Sequence, residues 1–118
     1  MARVLIADDD PVMRMILSAV VNNDEALELV GQAEDTDQAI ALALEHGPDV
    51  VLLDVEMPGG GGLRAAREIK AASPTVRVLA LSAHDTEDAR AAMTEAGADG
   101  YVVKGAPPNV VAEALRGD

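Results

Sequence analysis

The chain has 118 residues, a length that suits one folding unit able to bury a sizeable core. Hydrophobic residues make up 49% of it and charged residues 25%, and no apolar run approaches the ~20 residues needed to cross a bilayer, so neither a membrane protein nor a disordered chain is expected. Nine Lys and Arg against 21 Asp and Glu leave a formal charge of -12, which argues against direct nucleic-acid binding, because phosphate backbones need clustered cations and the Arg residues here are scattered.

With no cysteine there are no disulfides and no thiolate metal sites. The N-terminus runs straight into a strand with no signal peptide ahead of it, so a cytoplasmic address is the default expectation. Tyr101 is the only aromatic residue. The core must therefore be Val, Leu, Ile, Ala and Met, and Met13, Met15, Met57 and Met93 are expected to fill gaps in it.

In chain order, Arg3 to Ala7 reads as a buried strand that ends in Asp8-Asp9-Asp10-Pro11. Asp10 suits a helix cap and Pro11 the first helical position. This helix should run to about Asn22-Asn23, with Val12, Ile16, Ala19 and Val20 on its apolar face and Arg14 and Ser18 on another. Leu27 to Ala33 alternates enough for a more exposed second strand. Asp35 and Gln38 form a capping pair for a second helix, whose apolar side is Ala39, Ile40, Leu42, Ala43 and Leu44 and which stops at Gly47-Pro48. Val50-Val51-Leu52-Leu53-Asp54 is too short an apolar run for a surface helix but suits a strand buried on both faces.

After Gly59-Gly60-Gly61-Gly62, a third helix is predicted from Leu63 to Ala72. The glycine run has no side chains to restrain it and is expected to be mobile. A fourth strand spans Val76 to Leu81, a helix spans Thr86 to Ala96, and Gly97 stops it. Tyr101 to Lys104 is a fifth strand, and Pro107-Pro108 opens a last helix that ends near Arg116-Gly117. Five strands alternating with five helices imply an α/β three-layer sandwich with right-handed crossovers, residues 1–118 forming one domain.

In such a fold every strand delivers its last residue to one edge of the sheet, where open α/β sheets bind ligands. The residues delivered are Asp8 and Asp9, then Asp54, Ser82 and Lys104. A lone Asp54 would read as a turn cap. Three carboxylates together, however, repel one another by several kcal/mol at intermediate dielectric, and a hard divalent cation such as Mg²⁺ relieves that conflict. A lysine and a hydroxyl opposite it would hold the remaining oxygens of a phosphoryl group on Asp54.

Leu5-Ile6-Ala7-Asp8-Asp9, Leu53-Asp54 with Met57-Pro58 and Gly62-Leu63, Leu81-Ser82-Ala83, and Ala96 through Lys104 together resemble the receiver domain of two-component response regulators across essentially the whole chain. The resemblance implies a flavodoxin-like (βα)5 fold with a parallel five-stranded sheet of order 2-1-3-4-5. It implies that Asp54 is the phosphoacceptor and that Asp8, Asp9, Asp54 and the backbone carbonyl of Glu56 hold Mg²⁺, with Asp9 favoured over Asp8 as a direct ligand. Ser82 and Lys104 would bind the phosphoryl oxygens, Ser82 and Tyr101 would form the switch, and Glu56 and His84 would tune the lifetime of the phosphoryl group. The domain would not be an enzyme beyond its own phosphotransfer and autodephosphorylation.

The implied partners are a histidine kinase or phosphotransfer protein. Pro11, Val12 and Met15 with the Gly105 to Pro108 loop are the expected docking surface, and a homodimer could form through the fourth helix, fifth strand and fifth helix or through the first and fifth helices. Lys104-Gly105 replaces the Lys-Pro of many receivers, gives no reason to expect a cis peptide, and resembles the subfamily that precedes a helix-turn-helix DNA-binding domain. Asp10, Asp49 and Asp99 read as caps or turn residues, and His46 as a helix C-terminal residue. Two alternatives compete: Asp8-Asp9-Asp10-Pro11-Val12 also fits the D-x-D-x-[TV] pattern of haloacid-dehalogenase-type phosphatases, with Asp8 as nucleophile, and a degenerate receiver could act as a dimerisation module.

Overall fold

Val50–Asp54 (β3) is buried at every position, because strands flank it on both sides and helices cover both its faces. In the computed structural model, which describes residues 1–118, it lies at the centre of a five-stranded parallel sheet. The other strands are Ala2–Ala7 (β1), Leu27–Ala33 (β2), Arg77–Ser82 (β4) and Gly100–Val103 (β5), in the order β2-β1-β3-β4-β5. The helices are Pro11–Asn22 (α1), Thr36–His46 (α2), Gly61–Ala72 (α3), Glu87–Glu95 (α4) and Pro108–Arg116 (α5).

Side-chain alternation along the strands divides the core in two. Leu5, Ala7, Val51, Leu53, Val78 and Ala80 face α2, α3 and α4. Val4, Ile6, Val50, Leu52, Leu79 and Leu81 face α1 and α5. The expected element order, sheet order and three layers are all observed. Helix ends follow the expected chemistry: Asp10 accepts from the Val12 N–H, Asp35 from the Gln38 N–H, and Gly47 takes the left-handed conformation that ends α2. Gln38 answers not to Asp35 but to the N–H of Glu34, one residue earlier than a standard capping box.

Four expectations are corrected. The inward face of α1 is Leu17, Ser18 and Val21, whereas Val12, Ile16 and Ala19 are exposed and Val20 is only half-buried. Residues 12–21 are apolar almost all round, so periodicity could not say which stripe the sheet would take. For the same reason Met15 points outward at 66% exposure, while Met57 and Met93 are core residues. The strand and helix bounds move by one or two residues: β4 gains Ser82, β5 begins at Gly100 and stops before Lys104, and α3 begins at Gly61.

The glycine run, finally, is not a uniform loose loop. Gly59 and Gly60 form an exposed turn, but Gly61 and Gly62 are buried in the first turn of α3. A Cβ on Gly62 would lie 2.7 Å from the Asp54 carbonyl oxygen, so glycine is needed for the helix to start against the end of β3.

Candidate functional site

The carboxyl edge of the sheet gathers Asp8 after β1, Asp54 at the end of β3, Ser82 at the end of β4 and Lys104 after β5. Three of these side chains are fixed by one local device. Asp8 Oδ1 accepts the Asp10 N–H at 2.9 Å, Asp54 Oδ1 the Glu56 N–H at 3.1 Å, and Ser82 Oγ the His84 N–H at 3.0 Å. Each strand thus ends in a side chain that caps its own turn two residues on, which holds one oxygen and leaves the remaining valence free. The Asp8 backbone is held further by its N–H to Ala33 O at 3.0 Å and by Arg14 Nη1, which donates to its carbonyl at 2.6 Å.

Asp8 and Asp54 are buried, and Lys104 Nζ lies 3.2 Å from Oδ2 of each. Neither Oδ2 has a directed hydrogen bond. The lysine is therefore an ion-pair neighbour shared by two carboxylates rather than a satisfied donor to either. Burial pushes the Asp54 carboxyl up to about 6; the Glu56 N–H and Lys104 oppose the rise and the Asp8 charge adds to it. Burial alone would lower the Lys104 ammonium, but its pairs with Asp54 and Asp8 outweigh burial and raise it.

Asp9 is exposed beside this pair, and ligand oxygens of Asp8, Asp9 and Asp54 lie within 4.8 Å of one another. Two buried carboxylate oxygens without hydrogen-bond partners, with a third carboxylate open to water, form a set that could hold Mg²⁺, which takes oxygen ligands and retains waters. At the mouth, His84 Nε2 stands 3.6 Å from Glu56 Oε1, both exposed. Tyr101 is half-buried against the α3 and α4 side of the core, and its hydroxyl donates to the His84 carbonyl at 2.5 Å.

The sequence matches the family described as response regulator receiver domain over residues 4–116. The chain belongs to this family. It is 37% identical over 116 residues to the response regulator GacA of Pseudomonas protegens, covering 98% of this chain and 54% of that protein. To the response regulator UvrY of Escherichia coli it is 34% identical, covering 98% and 53%. The signal receiver domain of the putative response regulator NarL from Mycobacterium tuberculosis superposes with a TM-score of 0.93 at 32% identity, covering 97% of this chain and 92% of that one. A LuxR-family two-component response regulator from Aurantimonas gives 0.93 at 31%, covering 99% and 84%. The chain spans about half the length of the curated relatives it matches.

This receiver domain is thus a phosphorylation-dependent signalling switch. The haloacid-dehalogenase reading is not favoured. No helix is long and apolar enough to cross a membrane. All the residues singled out for the site lie at the same edge, Asp8, Asp9, Asp54, Ser82 and Lys104 within it and Glu56, His84 and Tyr101 around it. Asp10, Asp49 and Asp99 stand apart in structural roles. Asp10 caps α1, Asp49 accepts from the Arg3 N–H, and Asp99 accepts from Val78 and pairs with Lys70 at 2.8 Å.

Several supporting residues escaped the sequence reading. Arg14, assigned only to a polar helix face, reaches back to Asp8. Its position one turn after the Asp10 cap was the available signal. Buried Thr36 bonds the Gly61 carbonyl, and Arg64 bonds the Gly59 carbonyl and Asp37, so the N-terminus of α2 and the first turns of α3 strap the loop after Asp54. Arg90 stacks on Tyr101. These contacts link segments that only the sheet brings together.

Proposed function

We propose that Asp54 accepts the phosphoryl group, and that Asp8, Asp9, Asp54 and the Glu56 carbonyl hold Mg²⁺. The observation that carries this is the buried Asp8–Asp54 pair sharing one lysine, the Oδ2 of each carboxylate lying beside its charge without a hydrogen bond. A bound Mg²⁺ would supply positive charge to the transferring group and relieve the repulsion within the acidic cluster.

The domain's own residues do the rest. Asp54 attacks the phosphorus of a phosphohistidine on a kinase or phosphotransfer protein, or of a small acyl phosphate. An O–P bond forms on Asp54, and the donor's P–N or P–O bond breaks with its electron pair leaving on the donor. Lys104, already 3.2 Å from Asp54, moves little to bind a phosphoryl oxygen. Ser82 can donate its hydroxyl hydrogen to another. Beyond this phosphotransfer and the later hydrolysis of its own acyl phosphate, the domain carries no enzymatic activity. Glu56 and His84 flank the path of the water that attacks it and set the lifetime of the modified state.

Signal leaves the site through the backbone of His84. Its N–H donates to Ser82 Oγ and its carbonyl accepts from Tyr101. When Ser82 turns to the phosphoryl group, the His84 backbone loses one anchor and the acceptor for Tyr101 moves with it. The ring is then free to turn inward, changing the surface of α4, β5 and α5. Residues 1–118 act as one receiver unit, in the cytoplasm, without contacting nucleic acid themselves. The length of the relatives supports a regulator whose output domain, a helix-turn-helix DNA-binding unit, lies outside this chain. Dimers would form through the α4, β5 and α5 surface or through the α1 and α5 faces.

The test is the intact mass after incubation with acetyl phosphate and Mg²⁺. One added phosphoryl group that requires Mg²⁺ and vanishes in Asp54→Ala is expected. Labelling that survives Asp54→Ala would move the nucleophile to Asp8 or Asp9 and refute the assignment.

A further inference from the structure

Tyr101 is held from two sides. Its hydroxyl reaches the His84 carbonyl, and the Arg90 guanidinium lies 4.7 Å from the centre of its ring, well inside the range of a cation–π contact. Arg90 is also tied to the preceding loop. Its Nε donates to Asp85 Oδ1 at 2.5 Å, and Asp85 belongs to the loop that joins Ser82 to α4. The loop therefore fixes the arginine, and the arginine covers the ring.

The helix that carries Arg90 buries little of its own surface. Met93 is the only buried residue of α4, and the helix is the most polar of the five. Met93 and, at its C-terminal cap, Ala96 enter the core, Ala89 and Ala92 are half-buried, and α4 packs on α3; the Arg90–Tyr101 contact adds a tie to β5. A change in the pose of Tyr101 thus removes one attachment of α4.

We infer that Arg90 is a positioning residue of the switch: stacked on Tyr101 and pinned by Asp85, it favours the resting pose of the ring and couples departure from that pose to release of α4. The inference rests on the reading of Tyr101 as the switch aromatic. It requires a cation at the fourth residue of α4 and an acid five residues before it. An exposed cation–π contact favours the resting pose by roughly two- to five-fold in population. Reciprocity then requires that its removal tighten the binding of anything that favours the rotated pose by up to the same factor.

Composition makes this measurable. With one Tyr, no Phe and no Trp, incorporation of 3-fluorotyrosine gives a single ¹⁹F resonance that reports Tyr101 alone. Arg90→Gln removes the charge, retains a donor for Asp85 and has nearly the helix propensity of arginine, so α4 is not disturbed for other reasons. Arg90→Lys returns a cation. The resonance is recorded without Mg²⁺ and again after phosphorylation by acetyl phosphate and Mg²⁺, with the mass verifying the modification. Beryllofluoride with Mg²⁺ is titrated as a phosphoryl mimic.

In Arg90→Gln the resting resonance is expected to lie part-way to the phosphorylated position and beryllofluoride to bind roughly two- to five-fold tighter. Arg90→Lys is expected to return both toward wild type. Arg90 does not touch the acidic site, so a merely structural role would leave the titration unchanged. A wild-type resonance that moves on phosphorylation, with an Arg90→Gln protein that starts at the wild-type position and binds beryllofluoride with wild-type affinity, would overturn the inference alone. A phosphorylated wild type whose resonance does not move would overturn the switch reading of Tyr101, and the inference with it.

Discussion

Replacing Asp54 with Asn should stabilise the metal-free protein. The fold holds this carboxyl at about 6 against an ordinary value of 3.8, so the folded state binds the proton more tightly than the unfolded chain does. The stability this group contributes is therefore fully present below pH 3.8, falls as pH rises toward 6, and is lost above it. At 1.36 kcal/mol per pH unit the full difference is about 3 kcal/mol, and sharing of the charge with Asp8 and Lys104 reduces it to roughly 2 kcal/mol. Asparagine keeps an acceptor for the Glu56 N–H and carries no charge to desolvate. For a domain of this size about 2 kcal/mol corresponds to a rise of roughly 6–10 °C in Tm. Thermal unfolding followed by circular dichroism in EDTA, for wild type and Asp54→Asn at several pH values, measures it. The gap should be largest at about pH 8, shrink toward about pH 5, and narrow in saturating Mg²⁺, which binds the wild-type site preferentially. An Asp54→Asn protein that melts at or below wild type in EDTA at about pH 8, or a gap that does not depend on pH, would refute the reasoning.

Three further outcomes can be checked. Gly62→Ala places a methyl 2.7 Å from the Asp54 carbonyl oxygen, so the start of α3 must shift; a loss of about 1–3 kcal/mol in denaturant unfolding and slower labelling by acetyl phosphate are expected. Lys104→Met leaves two buried carboxylates without their shared cation, and unfolding in EDTA should show a loss of about 3 kcal/mol that Mg²⁺ partly restores. Met15→Glu, on the exposed face of α1 beside the groove between α1 and α5, should slow transfer from the cognate phosphohistidine donor at least several-fold while labelling by acetyl phosphate stays within error; equal slowing of both reactions would remove α1 from the docking surface.

The legibility of this protein follows the range of the interactions involved. Asp8, Asp54, Ser82 and Lys104 were evident in the sequence because each ends or follows a strand, and the edge rule for parallel sheets gathers strand ends without knowledge of any contact. Their local restraint was equally implicit, since an Asp or Ser that caps the N–H two residues on is a property of the segment itself. Strand identity in β1, β3 and β4 came from unbroken aliphatic runs. Helical periodicity identified α1 as a helix but not its buried face, because Val12 through Val21 is apolar on nearly every side and the buried stripe is whichever one the sheet and α5 leave room for.

Composition and spacing thus determined the element order, the acidic edge with its lysine and hydroxyl, and the lone tyrosine beside them. Tertiary structure alone decided which face of α1 turned inward, why Gly61 and Gly62 must lack side chains, and that burial rather than charge dominates Asp54. It also decided the company kept by Arg14, Thr36 and Arg90. The physical reason is separation along the chain: Arg90 meets Tyr101, and Thr36 meets Gly61, only after the sheet has brought their segments together, and no local periodicity encodes such a meeting.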